Sequence, residues 1–144
     1  SLIRDVVSRL SDDRHYIMDS PPGTNCNVVE ALDHADFVVL VTEPTPFGVN
    51  DLELALELVR DLGKPAALII NKHDASYPLA ERFAADHALH VIGRLPFDRS
   101  IAEHYASGGV ISELSPAIAE ELQSAVRAIE LRAQVALREA PSGT

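Results

Sequence analysis

Residues 37–71 read FVVLVTEPTPFGVNDLELALELVRDLGKPAALIIN, and this stretch decides the fold. Phe37-Val38-Val39-Leu40-Val41 is almost wholly apolar and rich in β-branched residues. Continuous apolar runs of this kind suit a strand of a parallel sheet covered on both faces. After Pro44 and Pro46 the period changes. Glu53, Glu57, Arg60 and Asp61 form a polar stripe at spacings of three and four, and Leu52, Ala55, Leu56, Val59 and Leu62 fill the opposite side. That pattern is an amphipathic helix, stopped by Gly63 and Pro65. Ala66-Ala67-Leu68-Ile69-Ile70 is a further strand, ending at Asn71. Strand, helix and strand with short connections form the right-handed crossover unit of a parallel sheet.

The same alternation extends both ways. Upstream, His15-Tyr16-Ile17-Met18 reads as a buried strand ending at Asp19 and a Pro-Pro-Gly turn. Thr24 or Asn25 can cap a helix carrying Val28, Val29, Ala31 and Leu32. Downstream, a short helix runs through Leu79, Phe83 and Ala84, and His90-Val91-Ile92-Gly93 reads as a fourth strand. A helix over Ser100 to Ala106 ends at Gly108-Gly109. The last helix follows Ser115-Pro116, with Ile118, Leu122, Val126, Ile129, Ala133 and Leu137 on one face. The expected fold is α/β, a three-layer parallel sheet with flanking helices. One domain covers residues 1–140, and 141–144 form a loose tail. Ligands of such sheets bind at the carboxyl ends of the strands, where Asp19, Glu43, Asn71 and Pro96 fall.

Composition narrows the function. The net charge is −10, from 12 Lys+Arg against 22 Asp+Glu. An acidic chain without a basic cluster repels nucleic-acid backbones, so direct nucleic-acid binding is not expected. No apolar run approaches the ~18 residues of a membrane span. Arg4, Asp5, Arg9, Asp12 and Asp13 break any secretory pattern near the start. The one cysteine excludes an intrachain disulfide and fits a reducing compartment. The expected location is cytoplasmic, with no membrane contact.

Two motifs carry chemistry. In Tyr16-Ile17-Met18-Asp19-Ser20-Pro21-Pro22-Gly23, a strand-end carboxylate can reach Mg²⁺ through water, and Gly23 lets a backbone N–H approach a terminal phosphate. An ordinary strand-ending turn is the alternative for an isolated aspartate, and the full Asp-x-Pro-Pro-Gly string favours function. In Asn71-Lys72-His73-Asp74, the asparagine amide can pair with a purine edge and the lysine stem can lie along a base. Asp74 could accept from two guanine N–H groups. A polar loop is an equal reading of that tetrapeptide taken alone. The histidines show no zinc spacing.

Asp19-Ser20-Pro21-Pro22-Gly23, Val41-Thr42-Glu43-Pro44-Thr45-Pro46-Phe47-Gly48, Ile70-Asn71-Lys72 and Leu95-Pro96-Phe97-Asp98, in that order, closely resemble the MinD/ParA/Mrp group of deviant P-loop ATPases. The resemblance runs from about His15 to Gly109, and the Thr-Glu-Pro-Thr-Pro-Phe-Gly string looks most like members with an inserted ferredoxin domain. It implies that Asp19 supports Mg²⁺ through water in the switch II region and that Gly23 senses the γ-phosphate. It also implies that Asn71 reads adenine, with Pro96, Phe97 and Asp98 beside the base. For the intact protein it implies Mg-ATP binding, ATP hydrolysis, a nucleotide-driven homodimer and an iron–sulfur or redox partner. Glu43 and Pro44 match the pattern without an assigned role.

The sequence departs from that family in one large respect. It contains no Gly-x-x-x-x-Gly-Lys-Ser/Thr string and no Lys-Gly-Gly form. The phosphate loop, the switch I aspartate and any ferredoxin insert with its cluster would lie before Ser1, and this portion alone is expected to bind ATP weakly. Cys26 lies seven residues after Asp19, the spacing of a cluster-ligating cysteine in the related nitrogenase iron protein. One thiolate per subunit does not complete a four-thiolate cluster even in a dimer, and a small residue packed at a helix start is the plainer reading. Two rival functions stand beside the ATPase. Asn-Lys-His-Asp matches the guanine-reading Asn-Lys-x-Asp string of GTPases, and a non-catalytic interaction module could keep the fold without the phosphate loop.

Overall fold

The computed structural model describes residues 2–11, 14–110 and 115–139. The tail expected at 141–144 lies outside them. The element order is α1 (Leu2–Val7), α2 (Cys26–His34), β1 (Val38–Thr42), α3 (Pro46–Asp61), β2 (Ala66–His73), α4 (Leu79–Asp86), β3 (His90–Pro96), α5 (Arg99–Ala106) and α6 (Pro116–Glu139). The strands form a parallel sheet in the order β1-β2-β3.

Alternation along the strands sorts residues to two faces. Val38, Leu40, Leu68 and Ile70 share one cluster with Leu52, Leu56 and Val59 of α3 and Ala80, Phe83 and Ala84 of α4. Leu68, Ile70 and Val59 are almost wholly buried. Full burial of each such side chain contributes about 1.5–3 kcal/mol. Consecutive crossovers of one hand, stepping in one direction, put both helices on this face. The opposite face receives α6. A Cβ built on Gly93 would lie 3.3 Å from the Ala125 Cβ and 3.5 Å from Ile69, so a glycine is what lets α6 approach the sheet.

Caps set the helix starts. Asn25 is the N-cap of α2, its Oδ1 accepting from the N–H groups of Asn27 and Val28. Thr45 caps α3, and Pro46 occupies the first turn, where a missing N–H costs nothing.

Three findings correct the sequence reading. His15–Met18 forms neither strand nor helix, and Ile17 is 99% exposed. A strand exists through its ladder, and no described strand lies beside this segment. The six-residue helix α1 has no counterpart in the sequence pattern, because Arg4 and Asp5 interrupt its apolar residues over so short a stretch. In α6, Ile118 and Ala125 are buried while Val126 and Leu137 are exposed. Leu122, Ile129 and Ala133 of the expected stripe are half-buried on the same side, and the contact at Gly93 adds Ala125 to that face.

The two sheet edges differ. On β3, the backbone N–H of Arg94 donates to Glu121 Oε1 at 2.6 Å, which ties that strand to α6. No described strand pairs along the outer edge of β1. Val41, on the face opposite α3, is 62% exposed. Among the described residues no helix is long and apolar enough to cross a membrane.

Candidate functional site

The carboxyl ends of the three strands bring together most of the residues singled out by sequence. At the end of β1, the buried Thr42 hydroxyl donates to Gly48 O at 2.8 Å and to Glu43 O at 3.3 Å. Thr45 Oγ1 accepts from Gly48 N at 3.0 Å. A Cβ on Gly48 would meet Glu43 O at 2.5 Å, so the chain closes on itself there only because residue 48 has no side chain. Within this turn Pro44 is buried and Phe47 is exposed. The turn delivers the Glu43 carboxylate to Lys72 Nζ, 2.7 Å away at the end of β2.

At the β2 end, Lys72 has φ +51°, a left-handed conformation uncommon for a residue with a side chain. Asn71 Oδ1 accepts from Lys72 N at 3.0 Å, and among the described residues its amide group has no acceptor and can donate to a ligand. Asp74 is occupied locally. Its Oδ1 accepts from Ser76 N at 2.9 Å and from Ser76 Oγ at 2.6 Å. These bonds to Ser76, with a smaller contribution from neighbouring His73, hold the Asp74 carboxyl below the usual carboxylate range.

The β3 end joins the same neighbourhood. Phe97 N donates to His73 O at 3.4 Å, so the segment Pro96-Phe97-Asp98 lies against the end of β2. Phe97 is 71% exposed and offers a bare aromatic face. Asp98 caps α5, its Oδ1 accepting from Ser100 N at 2.8 Å and Ser100 Oγ at 2.7 Å. The same two bonds depress its pKa. Asn71, Lys72, Pro96, Phe97 and Asp98 therefore share one rim.

Asp19 and Gly23 stand apart from it. Both are exposed in the irregular stretch before α2, and Gly23 adopts φ +107°. Among the described residues no hydrogen bond or ion pair joins either to the strand ends. Asp19 can supply one carboxylate to an Mg²⁺ that takes its other ligands from water and phosphate. Among the described residues no group of three or more His, Cys, Asp or Glu could hold a metal. Cys26 is a free, exposed thiol at the first position of α2, placed to give one ligand and no more.

Two side-chain contacts at the site were not legible in the sequence. One is Glu43–Lys72. The other is His73 Nε2 to Glu81 Oε1 at 2.7 Å, with Arg94 Nε 3.6 Å from the same oxygen. Glu81 links the ends of β2 and β3 through α4. The signal available was its place in the first turn of the helix that follows His73.

These features define a parallel α/β protein with a polar and aromatic rim at its strand ends, the usual ligand position for the class. No family model matches the chain. It is similar to an uncharacterized protein of the archaeon Methanocaldococcus jannaschii, 38% identical over 92 residues, which are 64% of this chain and 31% of that protein. The chain thus spans about a third of the length of this relative.

Proposed function

We propose that this chain is the base-binding portion of a nucleotide-binding domain of the MinD/ParA/Mrp kind, acting on ATP. The observation that carries the reading is the meeting of Asn71-Lys72 with Pro96-Phe97-Asp98 across the ends of β2 and β3, joined by the Phe97 N–His73 O bond. Asn71 retains a free amide N–H₂ to donate to a purine edge, and Phe97 supplies an exposed ring for the base to pack against. The open edge of β1 and the bare Val41 beside it fit a sheet that continues on that side. A strand carrying a phosphate loop would add there, and the greater length of the archaeal relative leaves room for one. In such an assembly Asp19 would approach Mg²⁺ through water, Gly23 would sense the γ-phosphate, and Mg-ATP would favour a homodimer. Cys26 would contribute to a cluster only beside thiolates from elsewhere.

Adenine is favoured over guanine by the state of Asp74. A guanine-reading aspartate accepts from two base N–H groups with two carboxylate oxygens. Here Oδ1 already accepts from Ser76 N and Ser76 Oγ, which leaves Oδ2 alone. The test is a titration of the chain with ATP and with GTP, followed through backbone amide resonances. ATP should move the Asn71 and Phe97 signals more than GTP, and Asp74→Ala should leave that order unchanged. A preference for GTP that Asp74→Ala abolishes would establish the guanine reading. Silence with both nucleotides would favour the interaction module.

A further inference from the structure

The Glu43–Lys72 pair is more elaborately supported than a chance surface contact. Lys72 holds a left-handed backbone at φ +51°. Side-chain-bearing residues keep such conformations only where the surroundings over-determine them, and these positions cluster at ligand sites. Two contacts hold Lys72 here. One is the bond from its N–H to Asn71 Oδ1, and the other is its 2.7 Å ion pair to Glu43. Glu43 is fixed in turn by the bracket behind it, in which the Thr42 hydroxyl reaches Gly48 O and Gly48 abuts Glu43 O. The chain of constraint runs from the α3 start, through Glu43, to the corner that carries Asn71.

We propose that Glu43 is a positioning residue of the base-binding rim. Resting on the nucleotide reading above, it assigns a role to the Glu43 carboxylate. Glu43 draws the Lys72 ammonium toward the end of β1, away from the Pro96-Phe97 side. The lysine then presents its aliphatic stem to a base, and its charge stays in water. The Asn71 carbonyl oxygen stays committed to Lys72 N, so the amide meets the base with its donor side in one orientation. Neutralising Glu43 frees Lys72 to swing and Asn71 to turn, and both affinity and base selectivity fall.

The experiment is a double-mutant cycle with Glu43→Gln, Lys72→Gln and the two combined. It is read by titrating each protein with adenosine and with inosine and following the Asn71 and Phe97 amides. Adenosine needs no phosphate cradle, so it probes the rim alone. An exposed ion pair contributes up to ~1 kcal/mol, or about fivefold in affinity. Glu43→Gln should weaken adenosine binding by about threefold to fivefold and narrow the adenosine-to-inosine ratio. Because Glu43 acts through Lys72, the double variant should bind no more weakly than Lys72→Gln alone. Wild-type affinity in Glu43→Gln, or losses that add in the double variant, would overturn the proposal. A wild-type chain that binds neither nucleoside would overturn it together with the nucleotide reading.

Discussion

Substituting Gly48 by alanine sets two magnitudes against each other. Gly48 lies in the first turn of α3, where alanine is the better helix former by about 1 kcal/mol. Propensity alone therefore predicts stabilisation. The added Cβ, however, would lie 2.5 Å from the backbone oxygen of Glu43, 3.1 Å from Thr42 Oγ1 and 3.2 Å from Thr45 Oγ1. The first of these is main chain and cannot swing aside. Overpacking of this kind costs about 1–3 kcal/mol. A displaced turn also weakens the Thr42 hydroxyl bond to Gly48 O, worth ~0.5–1.5 kcal/mol. The clash wins, and Gly48→Ala should destabilise the chain by about 1–2 kcal/mol. For a domain of this size that lowers Tm by about 2–8 °C. Urea unfolding measures the free energy directly, and the Lys72 amide shift reports whether the turn has moved Glu43. A variant as stable as wild type, or more so, with an unmoved Lys72 signal would refute the rigid bracket and remove the support for Glu43.

Three further outcomes follow from other parts of the fold. Ala88 has φ +50° just past the end of α4, where Leu89 N reaches back to Ala84 O, a position suited to glycine. Ala88→Gly should stabilise the chain by roughly 0.5–1 kcal/mol in urea unfolding, since relief of the left-handed strain exceeds the added unfolded-state entropy. The Asp98 cap is a pH-dependent device. Its folded pKa is lowered, so its stabilisation is present above the unfolded value near 3.8 and fades as pH falls through the lower folded value. The Ser100 amide should therefore lose hydrogen-exchange protection below about pH 4, and Asp98→Ala should show that loss already at neutral pH. The open β1 edge and exposed Val41 predict self-association. Light scattering should find more than monomer for the chain and less association for Val41→Lys, whereas a monodisperse wild-type monomer would contradict this.

The sequence carried the middle of the molecule well. From Phe37 to Asn71 the shift from a continuous apolar run to a 3.6-residue period has one good structural solution, and β1, α3 and β2 follow it. β2 and β3 each run about three residues beyond their apolar cores, to His73 and Pro96. Their ends leave the hydrophobic layer, where burial no longer marks a strand but the ladder continues. Those polar extensions bear the rim residues. The His15–Met18 run shows the limit of pattern reading, because apolarity announces a wish to pair but not a partner. The Glu43–Lys72 pair depends on the parallel register that sets Thr42 beside Ile70, and residues 29 positions apart reveal nothing of it locally. Likewise the close approach of Ala125 in α6 depends on one glycine in a different element.

The proposed function turns on adenine sitting on the rim between Asn71-Lys72 and Phe97. Intermolecular nuclear Overhauser effects between ADP and the chain test it most directly. Contacts are expected from adenine H2 and H8 to the Phe97 ring and to the Lys72 methylenes. Contacts at another surface, or none at saturating ADP, would contradict it.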